Sequence, residues 1–93
     1  MLFEVINMHG KKIRLTKECW DHICLEHPDV YDIEQIKDAL LHPTAIRSSD
    51  RDQDGVKWFY KFEKEKRVYV LVSVKYLNGE GFIITAYRTR TIK

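Results

Sequence analysis

The chain is poor in the residues that break up or staple a small protein, with four Gly, two Pro and two Cys in 93 residues. So little Gly and Pro excludes collagen-like and low-complexity chains, and two cysteines are too few for a disulfide scaffold. No stretch approaches the roughly 18 consecutive apolar residues that a membrane span needs. The opening residues lack a basic leader before an apolar run, so the reading is an unexported, cytoplasmic protein. Cys19 and Cys24 lie five apart in a segment of helical periodicity, which rotates them about 140° from each other and disfavours a mutual disulfide. Buried thiols in a reducing compartment are expected.

What is present suits one folded domain spanning 1–93: 44% hydrophobic, 12% aromatic and 32% charged residues. The net charge of +2 hides a sorted chain. Residues 1–16 hold three bases and one acid (+2), 17–55 four bases and ten acids (−6), and 56–93 nine bases and three acids (+6). A basic C-terminal part beside an acidic middle suggests one surface that accepts a polyanion and another that repels it.

The periodicity predicts an α+β fold. Leu2 to Asn7 and Lys12 to Leu15 flank a short stretch containing His9 and Gly10, a β-hairpin pattern. Thr16 offers an N-cap to a helix over about 17–26, with Cys19, Trp20, Ile23 and Cys24 at helical spacing and Pro28 limiting it. Asp32 and Gln35 form a capping-box pattern opening a second helix, which stops at His42-Pro43. Strand patterns follow at about 45–49, 56–63, 67–77 and 82–89. The expected architecture is an N-terminal β-hairpin and two short helices packed on a four-stranded antiparallel meander sheet. The simplest turns set Phe62 opposite Arg67 and Leu77 opposite Phe82. That register groups Trp58, Tyr60, Tyr69, Leu71, Ile84, Ala86 and Arg88 on one face, and Phe59, Lys61, the even-numbered valines 68–74, Ile83, Thr85 and Tyr87 on the other.

Two metal patterns fail on inspection. Asp50-Arg51-Asp52-Gln53-Asp54-Gly55 imitates the start of a calcium loop, but Lys61 stands where the bidentate acid belongs, and a solvated turn is the better reading. Cys19, His22, Cys24 and His27 do not converge on zinc, because His22 and Cys24 diverge by roughly 160° on one helix. No metal or cofactor is expected. The histidines are the groups best suited to move a proton near neutral pH, with His22 on the polar side of the first helix and His27 at its end. For each, a structural role competes: a solvated surface residue for His22, a helix cap or satisfied core histidine for His27. The tail from Ile83 to Lys93 combines hydroxyls, an aromatic ring and guanidinium groups suited to phosphate, although charges also protect a solvated edge strand.

Five segments in order carry a resemblance: Ile13-Arg14-Leu15-Thr16; Trp20-x-His22-Ile23-x-x-x-His27-Pro28; Ile36-x-x-x-Leu40-x-x-Pro43; Phe59-Tyr60-Lys61; and Gly81-Phe82-Ile83-Ile84-Thr85-Ala86-Tyr87. Together they resemble the phage- and mobile-element-associated nuclease-like domains of the barnase/EndoU/colicin/RelE fold superfamily. The resemblance implies metal-independent RNA cleavage, in which the ribose 2′-hydroxyl attacks the adjacent phosphate and leaves a 2′,3′-cyclic end. On that pattern His22 and His27 are the acid and base candidates, Lys61 and Arg88 stabilise charge, and Thr85 hydrogen-bonds phosphate. Tyr60, Tyr87 and Arg90 complete the expected RNA-binding set. The expected partners are RNA and a small acidic antitoxin or immunity protein, as for a toxin of a toxin/antitoxin pair or a phage-borne effector. The alternative is a non-catalytic module on the same fold that binds RNA, or that binds protein through Trp58, Tyr60 and Tyr69.

Overall fold

The computed structural model describes residues 3–7, 10–28, 32–48 and 55–92. His9 and the carboxylates Asp50, Asp52 and Asp54 of the calcium-like run lie outside them. Elements follow in the order β1 (Phe3–Ile6), β2 (Lys12–Leu15), α1 (Lys17–Glu26), α2 (Ile33–Leu41), β3 (Ala45–Ser48), β4 (Val56–Glu63), β5 (Val68–Leu77) and β6 (Glu80–Thr89).

Local chemistry accounts for the element ends. The Asn7 side-chain oxygen accepts from the Lys11 amide at 3.0 Å and ties the β1–β2 turn. Thr16 caps α1 by accepting from the Cys19 amide at 3.1 Å, and the helix closes where the His27 amide donates to the Ile23 carbonyl at 2.7 Å, just before Pro28. Asp32 and Gln35 form the reciprocal capping box of α2.

The sheet corrects the sequence expectation. It is six-stranded and mixed, in the order β1-β2-β6-β5-β4-β3, rather than a four-stranded antiparallel meander beside a separate hairpin. The hairpin joins the same sheet because β2 runs parallel to β6 through Lys12–Glu80, Ile13–Gly81 and Arg14–Phe82. Gly81 makes that approach possible. A Cβ there would stand 3.0 Å from side-chain carbons of both Ile13 and Val74. Arg14 fastens the junction by donating to Glu4 at 2.7 Å and to Glu80 at 3.1 Å.

A second correction concerns β6. Between β5 and β6 the register shifts at Ser73/Val74, so that Val74 pairs with Ile83 and Ser73 with Thr85, leaving Ile84 as an extra residue. Because side chains alternate, one extra residue exchanges the faces of everything beyond it. Ala86 and Arg88 therefore join the valine face, whereas Thr85 and Tyr87 move to the face of Trp58 and Tyr60.

One core results. Phe59, Val70, Val72, Val74, Ile83 and Ala86 of the sheet, with Ile13 and Leu15, pack on Ile23, Ile36, Ala39 and Leu40 of the helices. Each fully buried aliphatic side chain contributes roughly 1.5–3 kcal/mol. α2 covers the middle strands, and α1 lies along the part of β6 that β2 does not pair, where the Cys19 thiol donates to the Ile83 carbonyl at 3.1 Å. Both cysteines are free, as the helical spacing favours, but they are not the buried thiols expected: Cys19 is half-buried and Cys24 exposed. Burial pushes the Cys19 thiol pKa up.

Candidate nucleic-acid interface

Away from the helices, three cross-strand rows build one surface on β4, β5 and β6: Trp58-Ser73-Thr85, Tyr60-Leu71-Tyr87 and Phe62-Tyr69-Thr89. β4 contributes the aromatic column Trp58, Tyr60 and Phe62, β6 the hydroxyl-bearing column Thr85, Tyr87 and Thr89, and Ser73, Leu71 and Tyr69 of β5 lie between them. Tyr60 is fully buried, with the Tyr69 ring edge-on at 6.1 Å, and Phe62 tilts against the same Tyr69 ring at 5.2 Å. Trp58, Tyr60, Leu71, Ser73, Thr85 and Tyr87 line a depression of about 240 Å³.

His27 belongs to this surface. Because α1 follows the free edge of β6, its C-terminal residue reaches the Tyr87 ring, 5.3 Å between centroids and inclined by 32°. The capping position fixes the His27 backbone, and the aromatic contact orients its ring. His22 is elsewhere, more than half exposed and 3.2 Å from Glu26 one turn along the helix.

The two expected phosphate-holding cations lie across the sheet. Lys61, Val70 and Arg88 form a row on the helix-covered face. Lys61 stands 3.8 Å from Asp38 of α2, and Arg88 stands 3.4 Å from Glu63, whose carboxylate also accepts from the Gln35 amide at 3.4 Å. The Arg88 side chain is only 14% exposed. The fold thus brings together His27, Thr85 and Tyr87, buries Tyr60 fully rather than exposing it to RNA as expected, and separates this group from Lys61, Arg88 and His22.

Sequence reasoning overlooked another basic group. The β4–β5 turn carries Lys64, Lys66 and Arg67 with Glu65 among them, all exposed, and the Tyr69–Thr89 pairing brings exposed Arg90 to the same end of the sheet. The clustering of Lys64, Lys66 and Arg67 within four residues was the available signal. This end adjoins the Phe62-Tyr69-Thr89 row, so cations flank an aromatic platform as single-stranded nucleic acid requires.

Among the described residues no three His, Cys, Asp or Glu side chains gather as a metal ion would need, and no helix is long and apolar enough to cross a membrane. No protein-family model, curated protein or solved structure matches the chain.

Proposed function

We propose that the chain is a small cytoplasmic, metal-independent ribonuclease, a toxin or mobile-element effector, that receives single-stranded RNA on the aromatic sheet face. The observation that carries the reading is the His27 imidazole held against Tyr87 beside a depression lined by Thr85 and Trp58. In the reaction the 2′-oxygen forms a bond to phosphorus as the bond from phosphorus to the 5′-oxygen breaks. One proton leaves the 2′-hydroxyl and one arrives on the 5′-oxygen. His27 accepts the proton of the 2′-hydroxyl, solvent supplies the one that arrives on the 5′-oxygen, and the Tyr87 and Thr85 hydroxyls donate to the phosphate. An unpaired base stacks on the partly exposed rings of Trp58 and Tyr87, while the basic end of the sheet holds phosphates further along the strand.

A second reading, RNA binding without chemistry, draws on the opposite placement of Lys61 and Arg88. Each has a carboxylate beside it, and the three rows beside His27 contain no lysine or arginine. One experiment tests both. Purified protein is incubated with single-stranded RNA in chelator and the products are end-labelled. Cleavage to 2′,3′-cyclic ends that falls at least about 100-fold in His27→Ala and survives in His22→Gln supports the ribonuclease. Undiminished cleavage in His27→Ala removes His27 from the reaction. Salt-dependent binding with no product at any pH identifies the binding module. Co-purification of a small acidic protein would supply the antitoxin expected of a toxin.

A further inference from the structure

A second concavity, of about 500 Å³, is remote from His27 and plays no part in the proposed cleavage. It opens where the helices leave the valine face uncovered, toward the β1–β2 turn and the Gly55 end of β4. Ile46, Phe59 and Tyr76 provide its apolar walls. Asn7, 5% exposed, donates from its amide nitrogen to the Tyr76 hydroxyl at 3.3 Å, which places a polar pair at the wall. Lys11 and Lys57 are its basic lining residues, and no carboxylate is among the described residues lining it. The Lys57 ammonium donates to the neutral Ser48 hydroxyl at 2.6 Å, so this contact does not neutralise its charge.

Those features select a ligand class. The volume falls in the range of small-molecule sites, and apolar walls with a few fixed polar groups are how such sites orient a ligand. The two aromatic side chains favour a planar ring system, which they can meet by face or edge. The two ammonium groups favour a negative charge at one end of that ring. The backbone around the opening is fixed: the Tyr76 amide donates to the Gly55 carbonyl at 2.8 Å, and Gly55 at φ +67° leaves its Cα close to Tyr76. We infer that this pocket binds a small planar aromatic carboxylate, its ring between Phe59, Ile46 and Tyr76 and its carboxylate toward Lys11 and Lys57.

The test compares 1-naphthoate with 1-naphthamide, which share a ring and differ in charge. Each is titrated into the intact protein while backbone amide resonances are followed. The expected result is saturable one-to-one binding of naphthoate, with shifts concentrated at Lys11, Ile46, Gly55, Lys57 and Gly79. Reversing both charges in Lys11→Glu/Lys57→Glu is expected to weaken naphthoate about tenfold and to leave naphthamide within about twofold. Tyr76→Phe, which keeps the wall and removes the hydroxyl, should weaken naphthoate by a few-fold. Shifts centred on Trp58, Tyr69 and Tyr87, or the absence of saturable shifts, would overturn the site. Equal affinity for the two probes, unaltered by the charge reversal, would overturn the carboxylate preference. RNA cleavage plays no part in any of these readouts.

Discussion

Arg88 is the residue for which sequence and structure assign different work, and a pair of substitutions separates the two. In the fold it lies on the helix-covered face with its side chain 14% exposed, facing Glu63 at 22% and 3.4 Å. At that separation the attraction is about 5 kcal/mol for an effective dielectric of ~20, and removing both charges from water offsets most of it. The net value of the pair is therefore small, but the cost of breaking it is not. Glu63→Ala leaves the guanidinium mostly buried without this carboxylate, and about 2–4 kcal/mol of stability should be lost. For a domain of this size each kcal/mol lowers Tm by roughly 4–8 °C, so the variant should melt at least about 8 °C below the parent. Arg88→Met/Glu63→Met removes both charges and retains the side-chain volume. It should recover most of the loss, giving a coupling of about 1–3 kcal/mol in a double-mutant cycle. Chemical denaturation measures the cycle, and RNA binding measured on the same proteins supplies the functional half. If Arg88 holds the fold together and not a phosphate, the double methionine variant binds RNA as the parent does. Additive losses in the cycle, or RNA binding lost in a stably folded double variant, would refute the reasoning.

Other predictions concern separate parts of the molecule. Gly55→Ala should cost about 2 kcal/mol or more, read by urea unfolding, because φ is +67° and the new Cβ would stand 2.8 Å from the Tyr76 carbonyl oxygen. Since burial raises the Cys19 pKa, the folded chain keeps a proton that the unfolded chain releases. That contribution is fully present below the unfolded thiol value of about 8.5 and declines as pH rises through the folded value, so stability should fall at alkaline pH, and by less in Cys19→Ala. Iodoacetamide at pH 8 should label exposed Cys24 well before Cys19, as peptide mass mapping would show. Trp58→Ala should weaken single-stranded RNA binding by about 1–3 kcal/mol without altering its salt slope, whereas Lys64→Gln/Arg67→Gln should lower that slope.

The helices were legible because their signals are local. Thr16 followed by the Cys19 amide, and Asp32 followed by Gln35, are capping contacts made within a single turn. The strand patterns were legible for a similar reason, since β-branched runs and turn residues alternate over short distances. The β2–β6 pairing was not. It joins residues more than 60 positions apart in sequence through three register pairs, and its enabling residue, Gly81, reads in sequence as part of a turn. A hairpin that joins a distant strand in parallel carries the same alternation as one that stands alone, so nothing in its own residues distinguishes the two arrangements.

The site shows how a single residue decides what chemistry can meet. The strand pattern of β4 and β5 places Trp58 and Tyr60 opposite the valine face whether the pairing begins at Arg67 or slips by two, because alternation survives an even shift. An odd shift does not preserve it. The extra Ile84 puts Thr85 and Tyr87 beside Trp58 and Tyr60, and sends Arg88 to the valine face to meet Glu63. The same irregularity lies where β2 has stopped pairing with β6 and α1 takes over, with the Cys19 thiol donating to the carbonyls of Ile83 and Ile84. The bulge therefore connects two consequences. Beside the helix it carries carbonyls that accept the thiol of α1, and along the strand it turns Tyr87 to the face where His27, at the end of that helix, can reach it. A strand without the extra residue would have aligned Arg88 with the aromatic rows and sent Tyr87 to the helix-covered face.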